Sequence, residues 1–400
     1  MKKKNKEKIN IKSKLKQALL IILFIALLIF VQRIIYHKLA EESATTENNT
    51  QKTVENVADE NNIENPDVKD EPENKEELEI VATMHDDIHD NAVWCGTMQL
   101  AWNEMLKKYG DNIVFNESNS TIENLNKKDF TENDVSAKDA FQTYGLSTIT
   151  EKERVEKELK ERFNEKSDVL NSVEWYKTAK EAEGKYFFYS ILKKVFTFRY
   201  EFEELDNANF ENDKYTDIKY FGVKANSESK IKRQIRVLYY ENDEDFAVML
   251  QTKEGEEVIL CNNPQGKNFN EIYSKIKEKE DFYTGIRVLE DIDDFKMPNI
   301  EIDLLREYNE LQNKIFVSEG SEVMIKKALQ TIKFEIDKKG GKLKSEAIIT
   351  TKATAIMDEP DVKMPRHFYL DDSFVMFLIE EGKENPYYAT KITDITKFQK

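Results

Sequence analysis

The chain of 400 residues carries 60 Lys and Arg against 77 Asp and Glu, which gives a formal net charge of −17. This acidic balance argues against a general nucleic-acid binder, because affinity for phosphate groups comes from an excess of Lys and Arg. Two cysteines, Cys95 and Cys261, are too few for a disulfide framework, and we expect both to be buried as small core residues.

The N-terminus has the charge and hydropathy pattern of a signal anchor. Residues 1–17 hold eight lysines against one glutamate, residues 18–31 are wholly apolar, and residues 34–36 prolong the apolar run. The run is short for a membrane span, but no small-x-small cleavage site follows it, so we expect a retained transmembrane helix over residues 18–36. A cleaved signal peptide and a buried core helix are the alternatives.

The orientation of this anchor follows from its flanking charge. The basic tail, residues 1–17, stays cytoplasmic, so the rest of the chain is expected outside. The sequence therefore predicts a single-pass protein of the cell membrane, with the lipid bilayer as a partner of residues 18–36.

Residues 41–77 have the composition of an acidic stalk. They are rich in Glu, Asp, Asn, Thr and Lys, contain Pro66 and Pro72, and lack aromatic residues. Such a segment buries too little apolar surface to offset its chain entropy, so we expect a disordered spacer. Aromatic residues and alternating patterns follow, which predicts one folded extracytoplasmic domain over residues 80–400.

The folded part mixes helical periodicity with short apolar runs and polar turns. Helices are predicted over residues 93–109, 151–170 and 270–279, where apolar side chains recur at helical spacing. Strands are predicted in the second half of residues 185–202 and over residues 235–240, 246–251, 256–261, 374–379 and 387–392. Because short turns join most of these strands, the order favours an α+β fold with antiparallel pairing over a doubly wound sheet.

The last strand pair is the most informative segment. Residues 374–379 form a continuous apolar run, residues 380–385 are polar and include Gly382, and Pro386 precedes a second run at residues 387–392. The pattern predicts a buried hairpin that closes the chain. It resembles the end of a serpin, the serine protease inhibitor fold, in which a phenylalanine-rich strand after the reactive loop is followed by a short turn and a last strand.

Other segments fall in serpin order. Residues 91–96 resemble the strand that enters the helix below the central sheet, and residues 234–240 and 246–250 resemble the paired strands joined by a short polar turn. Residues 295–303 resemble a strand before a helical run, which would lie here at Leu311. Residues 332–340 resemble the long strand that ends at the hinge glycine. The resemblance implies a serpin-like domain of mostly antiparallel sheets with packed helices and no cofactor. Residues 111–185 match the family poorly.

The hinge is where the resemblance bears on mechanism. Inhibitory serpins insert the cleaved reactive loop into the central sheet as an extra strand, which demands small residues after the glycine. The hinge and candidate reactive loop carried onto this sequence comprise Gly340, Gly341, Lys342, Leu343, Lys344, Ser345, Glu346, Ala347, Thr350, Thr351, Lys352, Ala353 and Thr354.

Alternation along this segment separates two kinds of side chain. One face carries Gly341, Leu343, Ser345 and Ala347, and the other carries Lys342, Lys344 and Glu346. Long charged side chains where the family prefers alanine favour an ordinary half-buried strand, because charges beneath a covering layer need partners. We therefore expect a non-inhibitory binding or structural role toward an extracellular protein. A protease inhibitor that acts through residues 341–365 is the alternative, with a protease as the partner.

A papain-like cysteine peptidase is the second alternative. Trp94-Cys95-Gly96 resembles the start of papain-like and bacteriocin-processing peptidases, where a cysteine at a helix N-terminus is acidified by the helix dipole and paired with a histidine. His367 is the only histidine downstream of Cys95, and it precedes a buried strand. A buried structural Cys95 is favoured, so we expect no enzymatic activity.

The pair His85 and His89 gives a further, less favoured alternative, a metal-binding site. His85 and His89 are four residues apart with carboxylates nearby, and on a helix this pair could hold a transition metal. Because no third ligand lies at a diagnostic spacing, a solvated acidic turn is favoured.

Overall fold

The computed structural model describes residues 78–111, 113–342 and 364–399. The predicted basic tail, transmembrane helix and stalk, and the loop residues 343–363, lie outside the described residues. Within the described part of the chain, no helix is both long enough and apolar enough to cross a membrane.

Short strands hold more of the described residues than helices do. In chain order they are β1 Glu79–Val81, β2 Ala92–Cys95, β3 Val114–Phe115, β4 Ala140–Leu146, β5 Tyr186–Leu192, β6 Val195–Thr197, β7 Glu203–Glu204, β8 Ala208–Phe210, β9 Tyr215–Ile218, β10 Tyr220–Val223, β11 Ile235–Asn242, β12 Asp245–Gln251, β13 Glu256–Asn262, β14 Asp294–Pro298, β15 Ile300–Glu307, β16 Ile315–Ser318, β17 Ser321–Met324, β18 Leu329–Asp337, β19 Gly340–Lys342, β20 His367–Tyr369, β21 Phe374–Glu380 and β22 Tyr388–Ile392.

Helices are fewer and are placed between these strands. They are α1 Thr97–Tyr109, α2 Ser120–Leu125, α3 Ile149–Phe163, α4 Ser229–Lys232 and α5 Phe269–Phe282, with 3₁₀ turns at Leu170–Ser172 and Ile395–Phe398. Side-chain caps start three of them: Asn119 accepts from the Ile122 amide before α2, Thr148 from the Glu151 amide before α3, and Asn268 from the Glu271 amide before α5.

A seven-stranded sheet forms the largest layer, in the order β1-β2-β22-β21-β13-β12-β11. Six of the seven residues of β21 are buried, as the continuous apolar run predicts for a strand covered on both faces. The hairpin β21–β22 pairs with β13 on one side and β2 on the other, so both of its strands lie inside the sheet. The predicted buried hairpin is confirmed.

Two four-stranded sheets pack into the same main core. One has the order β20-β14-β10-β7, with β20 parallel to β14, and the other has the order β15-β18-β19-β6. Smaller sheets are formed by β17-β16-β3, β4-β5 and β8-β9. The chain is therefore a mixed α+β structure, as its sequence predicts.

Three predicted elements differ from the structure. The helix predicted over residues 93–109 begins only at Thr97, because Ala92–Cys95 pairs with β22 as a strand. The helix predicted over residues 151–170 ends at Phe163, since Asn164 adopts a left-handed conformation with φ of 52°. The helical run predicted at Leu311 is wrong, because Leu311 is a fully buried residue of the turn between β15 and β16.

Candidate functional site

The hinge segment predicted from the sequence enters a sheet. Gly340–Lys342 forms β19, which lies between β18 and β6 and pairs with both. Lys342 lies opposite Glu335 of β18 on one side and Val195 of β6 on the other, and both pairings are antiparallel. The chain therefore turns back after β18 and begins a new inner strand.

Two glycines are required at this turn by the closeness of β6. Gly340 has φ of +148°, and a Cβ built on it would lie 2.3 Å from the carbonyl oxygen of Phe196. A Cβ on Gly341 would lie 2.2 Å from the Phe196 ring. Because neither space admits a side chain, both positions have a packing reason for glycine, and Gly340 has a conformational one as well.

A cavity of about 620 Å³ lies between β18 and β5, the strand that precedes β6 in the chain. We call this cavity the slot. Its lining includes residues 188–192 of β5, residues 329–335 of β18, residues 301–303 of β15, Cys95 at the end of β2, the α1 residues Thr97, Met98 and Ala101, the tyrosines Tyr387 and Tyr388, and residues 164–169 after α3. Among the described strands, β5 pairs only with β4, and residues 329–334 of β18 pair only with β15.

Hydrogen bonds join the residues at the start of α1, which line the slot, to β5 and β18, the two strands that form its walls. Ser190 of β5 donates its hydroxyl to the Thr97 carbonyl at 2.5 Å. Gln330 of β18 donates from Nε2 to the Cys95 carbonyl at 3.0 Å and to Thr97 Oγ1 at 2.8 Å, and accepts from the Tyr308 hydroxyl. The first turn of α1 is therefore hydrogen-bonded to β5 and to β18.

The outer face of the slot is charged and open to solvent. Along β18, Ile332, Phe334 and Ile336 are buried, whereas Lys333 and Glu335 are exposed. The Lys333 side chain is 51% exposed and lies 3.0 Å from Asp168 in the loop after α3. Side chains on this face of the sheet therefore remain hydrated.

A buried cluster of charges joins the slot wall to the seven-stranded sheet. Lys194, between β5 and β6, is 3% exposed, and its Nζ lies 2.8 Å from Asp139, 2.8 Å from Glu256 and 3.0 Å from Glu380. Burial lowers the pKa of Lys194, but the hydrogen bonds to Asp139 and Glu256 outweigh it and raise the pKa above its ordinary value. Burial raises the pKa of Glu256. The sequence analysis missed this cluster, because a lysine between Lys193 and Val195 has no local mark of burial.

The structure does not bring Cys95 and His367 together as a catalytic pair. Cys95 ends β2, has Thr97 as its hydrogen-bond partner, and burial raises the pKa of its thiol. His367 starts β20 in a different sheet, where its Nδ1 lies 2.6 Å from Asp294 and this hydrogen bond raises its pKa. A buried, protonated thiol is the opposite of an activated nucleophile. Both cysteines, Cys95 and Cys261, are free and buried, as expected.

His85 and His89, near the start of the domain, contact different carboxylates. His85 lies 2.9 Å from Asp129, whereas the His89 side chain is 83% exposed and lies 3.7 Å from Glu79. The segment is not helical, so the spacing does not align the two rings. Within the part of the chain that the structure describes, no group of three or more acidic, histidine or cysteine side chains could hold a metal ion.

The other predicted loop residues, Leu343, Lys344, Ser345, Glu346, Ala347, Thr350, Thr351, Lys352, Ala353 and Thr354, lie outside the described residues. Only the first three hinge residues, Gly340–Lys342, have a described backbone. The structure thus describes the start of the segment as β19.

Comparison with known proteins gives a weak structural likeness. No protein-family model matches the chain, and no curated protein has a similar sequence. The chain is similar to Serpin48, a highly specific serpin of the insect Tenebrio molitor, with 13% identity and a TM-score of 0.37, over 60% of this chain and 64% of that one. It is also similar to human thyroxine-binding globulin complexed with its hormone, with 11% identity and a TM-score of 0.39, over 74% of this chain and 96% of that one.

The chain thus spans less than two thirds of the insect serpin. TM-scores this low decide neither the fold nor the activity of this chain.

Proposed function

We propose that this chain is a serpin-like protein whose working element is the segment after Gly340, which is taken up as an added strand between β18 and β5. The observation that carries the proposal is β19, which is already paired on both sides at the head of the slot. Below it, both walls of the slot present strand edges that no described strand covers. Backbone groups on such edges are stabilised when a further strand pairs with them.

Continuation of the β19 register gives the added strand a suitable pattern. Lys342 lies opposite Glu335, so continued pairing would set Leu343 opposite Phe334 and Ser345 opposite Ile332, both on the buried face. The charged residues of the segment would take the other face, on which Lys333 is half exposed. Their ionic groups would stay in water, which removes much of the desolvation penalty that the sequence pattern suggested.

Cleavage of the loop is the direct test. A single protease site placed between Thr350 and Met364 and then cut should raise the melting temperature. About six new backbone hydrogen bonds at about 1 kcal/mol each, with 2–4 °C per kcal/mol for a domain of this class, give a rise of roughly 10–20 °C. Ser345→Pro is the blocking variant, because proline removes a donor from the new strand. Lys352→Pro, beyond the extended register, is its matched control and should keep the rise.

A binding or structural role without strand uptake is the second candidate. In the extended register Lys344 would lie opposite Lys333, and like charges directly opposite each other weaken a strand pair. On this candidate the cut leaves the melting temperature flat or lower, in both proline variants and in the parent. Protease inhibition by strand uptake requires a further result, an SDS-stable complex with a serine or cysteine protease.

The site of action is proposed to be the outer surface of a cell membrane. The lysine-rich tail, the apolar residues 18–31 and 34–36, and the acidic composition of residues 41–77 support a single-pass anchor with an outside domain. Protease shaving of intact cells should release a fragment that begins within residues 41–77. A domain protected until the membrane is permeabilised would contradict this orientation.

A further inference from the structure

A second cavity, unrelated to the slot, lies between one end of the seven-stranded sheet and α5. Its volume is about 500 Å³, which is within the range of small-molecule sites. Tyr239 of β11, Asp245 of β12, Cys261 of β13 and Ile276, Lys279 and Phe282 of α5 are among the residues that line it. We call it the helix-side pocket.

Apolar and aromatic groups form the inner part of the helix-side pocket. Tyr239, Cys261, Ile272 and Ile276 are all buried, and the Tyr239 hydroxyl lies 3.3 Å from Cys261 Sγ. Phe282, at the end of α5, also lines the pocket but is 79% exposed, which is unusual for a phenylalanine. An occupant with an apolar body would therefore cover a ring that water now surrounds.

The mouth of the pocket already holds an alkylammonium group. Lys279 Nζ lies 2.6 Å from Asp245, 3.2 Å from Glu241 and 4.7 Å from the centre of the Tyr239 ring. Burial lowers the pKa of Lys279, but the hydrogen bonds to Asp245 and Glu241 outweigh it and raise the pKa. Two carboxylates and an aromatic face are the groups that recognise organic cations in proteins.

Charge at the mouth favours a further cation over an anion. The lining contains three carboxylates, Glu241, Asp245 and Glu278, against two ammonium groups, Lys275 and Lys279. An anionic ligand would meet an excess of negative charge, whereas a cation would reduce it. We propose that the helix-side pocket binds an organic cation with an apolar body, an arylalkyl- or alkylammonium compound, with its ammonium beside Glu241 and Asp245 and its body against Ile276 and Phe282.

The test uses three small probes that differ in one group. Binding of 4-phenylbutylammonium, 4-phenylbutyrate and 4-phenylbutanol to the full chain is measured by saturation-transfer-difference NMR in a nonionic detergent. The ammonium compound should bind at least about tenfold more tightly than the carboxylate, as expected for cation–π and carboxylate contacts. Equal binding of all three probes, tighter binding of the carboxylate, or no binding of the ammonium compound would overturn the proposal.

Variants of the resident lysine make the test specific. Lys279→Met removes the internal ammonium and should raise the affinity for 4-phenylbutylammonium by about tenfold, because the vacated carboxylates and ring accept the probe. Lys277→Met is the matched control, because Lys277 lies on the same helix but does not line the pocket. This variant should bind 4-phenylbutylammonium with unchanged affinity. An equal gain in both variants would show a general charge effect and contradict the site.

A third variant covers the case in which Lys279→Met does not fold. Glu241 is 58% exposed, so Glu241→Gln should fold normally and should weaken binding of the ammonium probe several-fold. Unchanged affinity in this variant would refute the assigned contact. None of these outcomes depends on strand uptake, so the two proposals fail separately.

Discussion

Replacement of Lys194 by methionine tests whether the buried charge cluster stabilises the domain. Lys194 is 3% exposed and contacts Asp139, Glu256 and Glu380 at 2.8–3.0 Å, so the substitution leaves three carboxylates around an apolar side chain. Removal of one partner from a buried ion pair destabilises a protein by about 3–5 kcal/mol. We expect a loss in this range, or roughly 10 °C in melting temperature.

Urea unfolding followed by tryptophan fluorescence measures this loss as a shift in midpoint at constant slope. Lys138→Met is the matched control, because Lys138 lies 3.9 Å from the same Asp139 but its side chain is 73% exposed. It should change the free energy of unfolding by no more than about 0.5 kcal/mol. If Lys194→Met lowered the free energy of unfolding by less than about 1 kcal/mol, the reasoning would be refuted. Such a small loss would mean that water hydrates the three carboxylates in place of the ammonium group.

The same variant has a pH signature. Without Lys194 the carboxyl of Glu256, whose pKa burial already raises, should take up a proton at still higher pH in the folded state than in the unfolded state. A raised folded-state pKa of an acid gives stability at low pH that is lost as pH rises through that pKa. The gap between wild type and Lys194→Met should therefore narrow as pH falls from 7 toward 5, and Glu256→Gln in the variant background should restore part of the loss at pH 7.

Three other predictions concern single positions. Gly340→Ala should destabilise the domain by about 2–3 kcal/mol, because the added Cβ would clash with the backbone of β6. Gly382→Ala, where space is open, should lower the free energy of unfolding by about 1 kcal/mol from backbone strain alone. Urea unfolding of the two variants measures the difference. Cys95 should resist iodoacetamide in the native protein at neutral pH and react after unfolding, and rapid native labelling counted by mass spectrometry would contradict its burial. NMR titration should give His367 a pKa above its ordinary value, and the pKa should return toward that value in Asp294→Asn. The stability that protonated His367 adds should be present in acid and lost as pH rises through the folded-state pKa. An unchanged His367 titration in Asp294→Asn would contradict the assigned hydrogen bond.

Local patterns predicted much of the fold. The apolar run at residues 374–379 and the polar segment around Gly382 predict a buried hairpin, which the structure contains as β21 and β22. Such patterns report which side chains must leave water, and they do so within one element. Helix lengths were less well predicted, because a single residue such as Asn164 ends α3 while the apolar spacing continues beyond it.

The candidate site was predictable only in part, because its geometry depends on distant pairings. The sequence predicts a hinge at Gly340 and Gly341, but the closeness of these glycines to Phe196 arises from a strand that lies more than 100 positions earlier in the chain. The charges of Lys194 and Lys333 are chemically alike, yet one is buried and the other half exposed. Burial of a lysine is a property of its neighbours in space, so local sequence has no signal for it.

The position of the last strands sets the order in which the domain can be built. β22 pairs with β2, and Thr390 donates a hydrogen bond to the Ala92 carbonyl 298 positions away in the chain. The centre of the largest sheet therefore stays open until β21 and β22 have been synthesised, and shorter chains expose both β2 and β13 as unpaired edges. Contacts this distant slow folding and leave nascent chains prone to association. Ribosome-released fragments that stop before Phe374 should consequently be cleared or aggregate, because they lack the hairpin that joins β2 to β13.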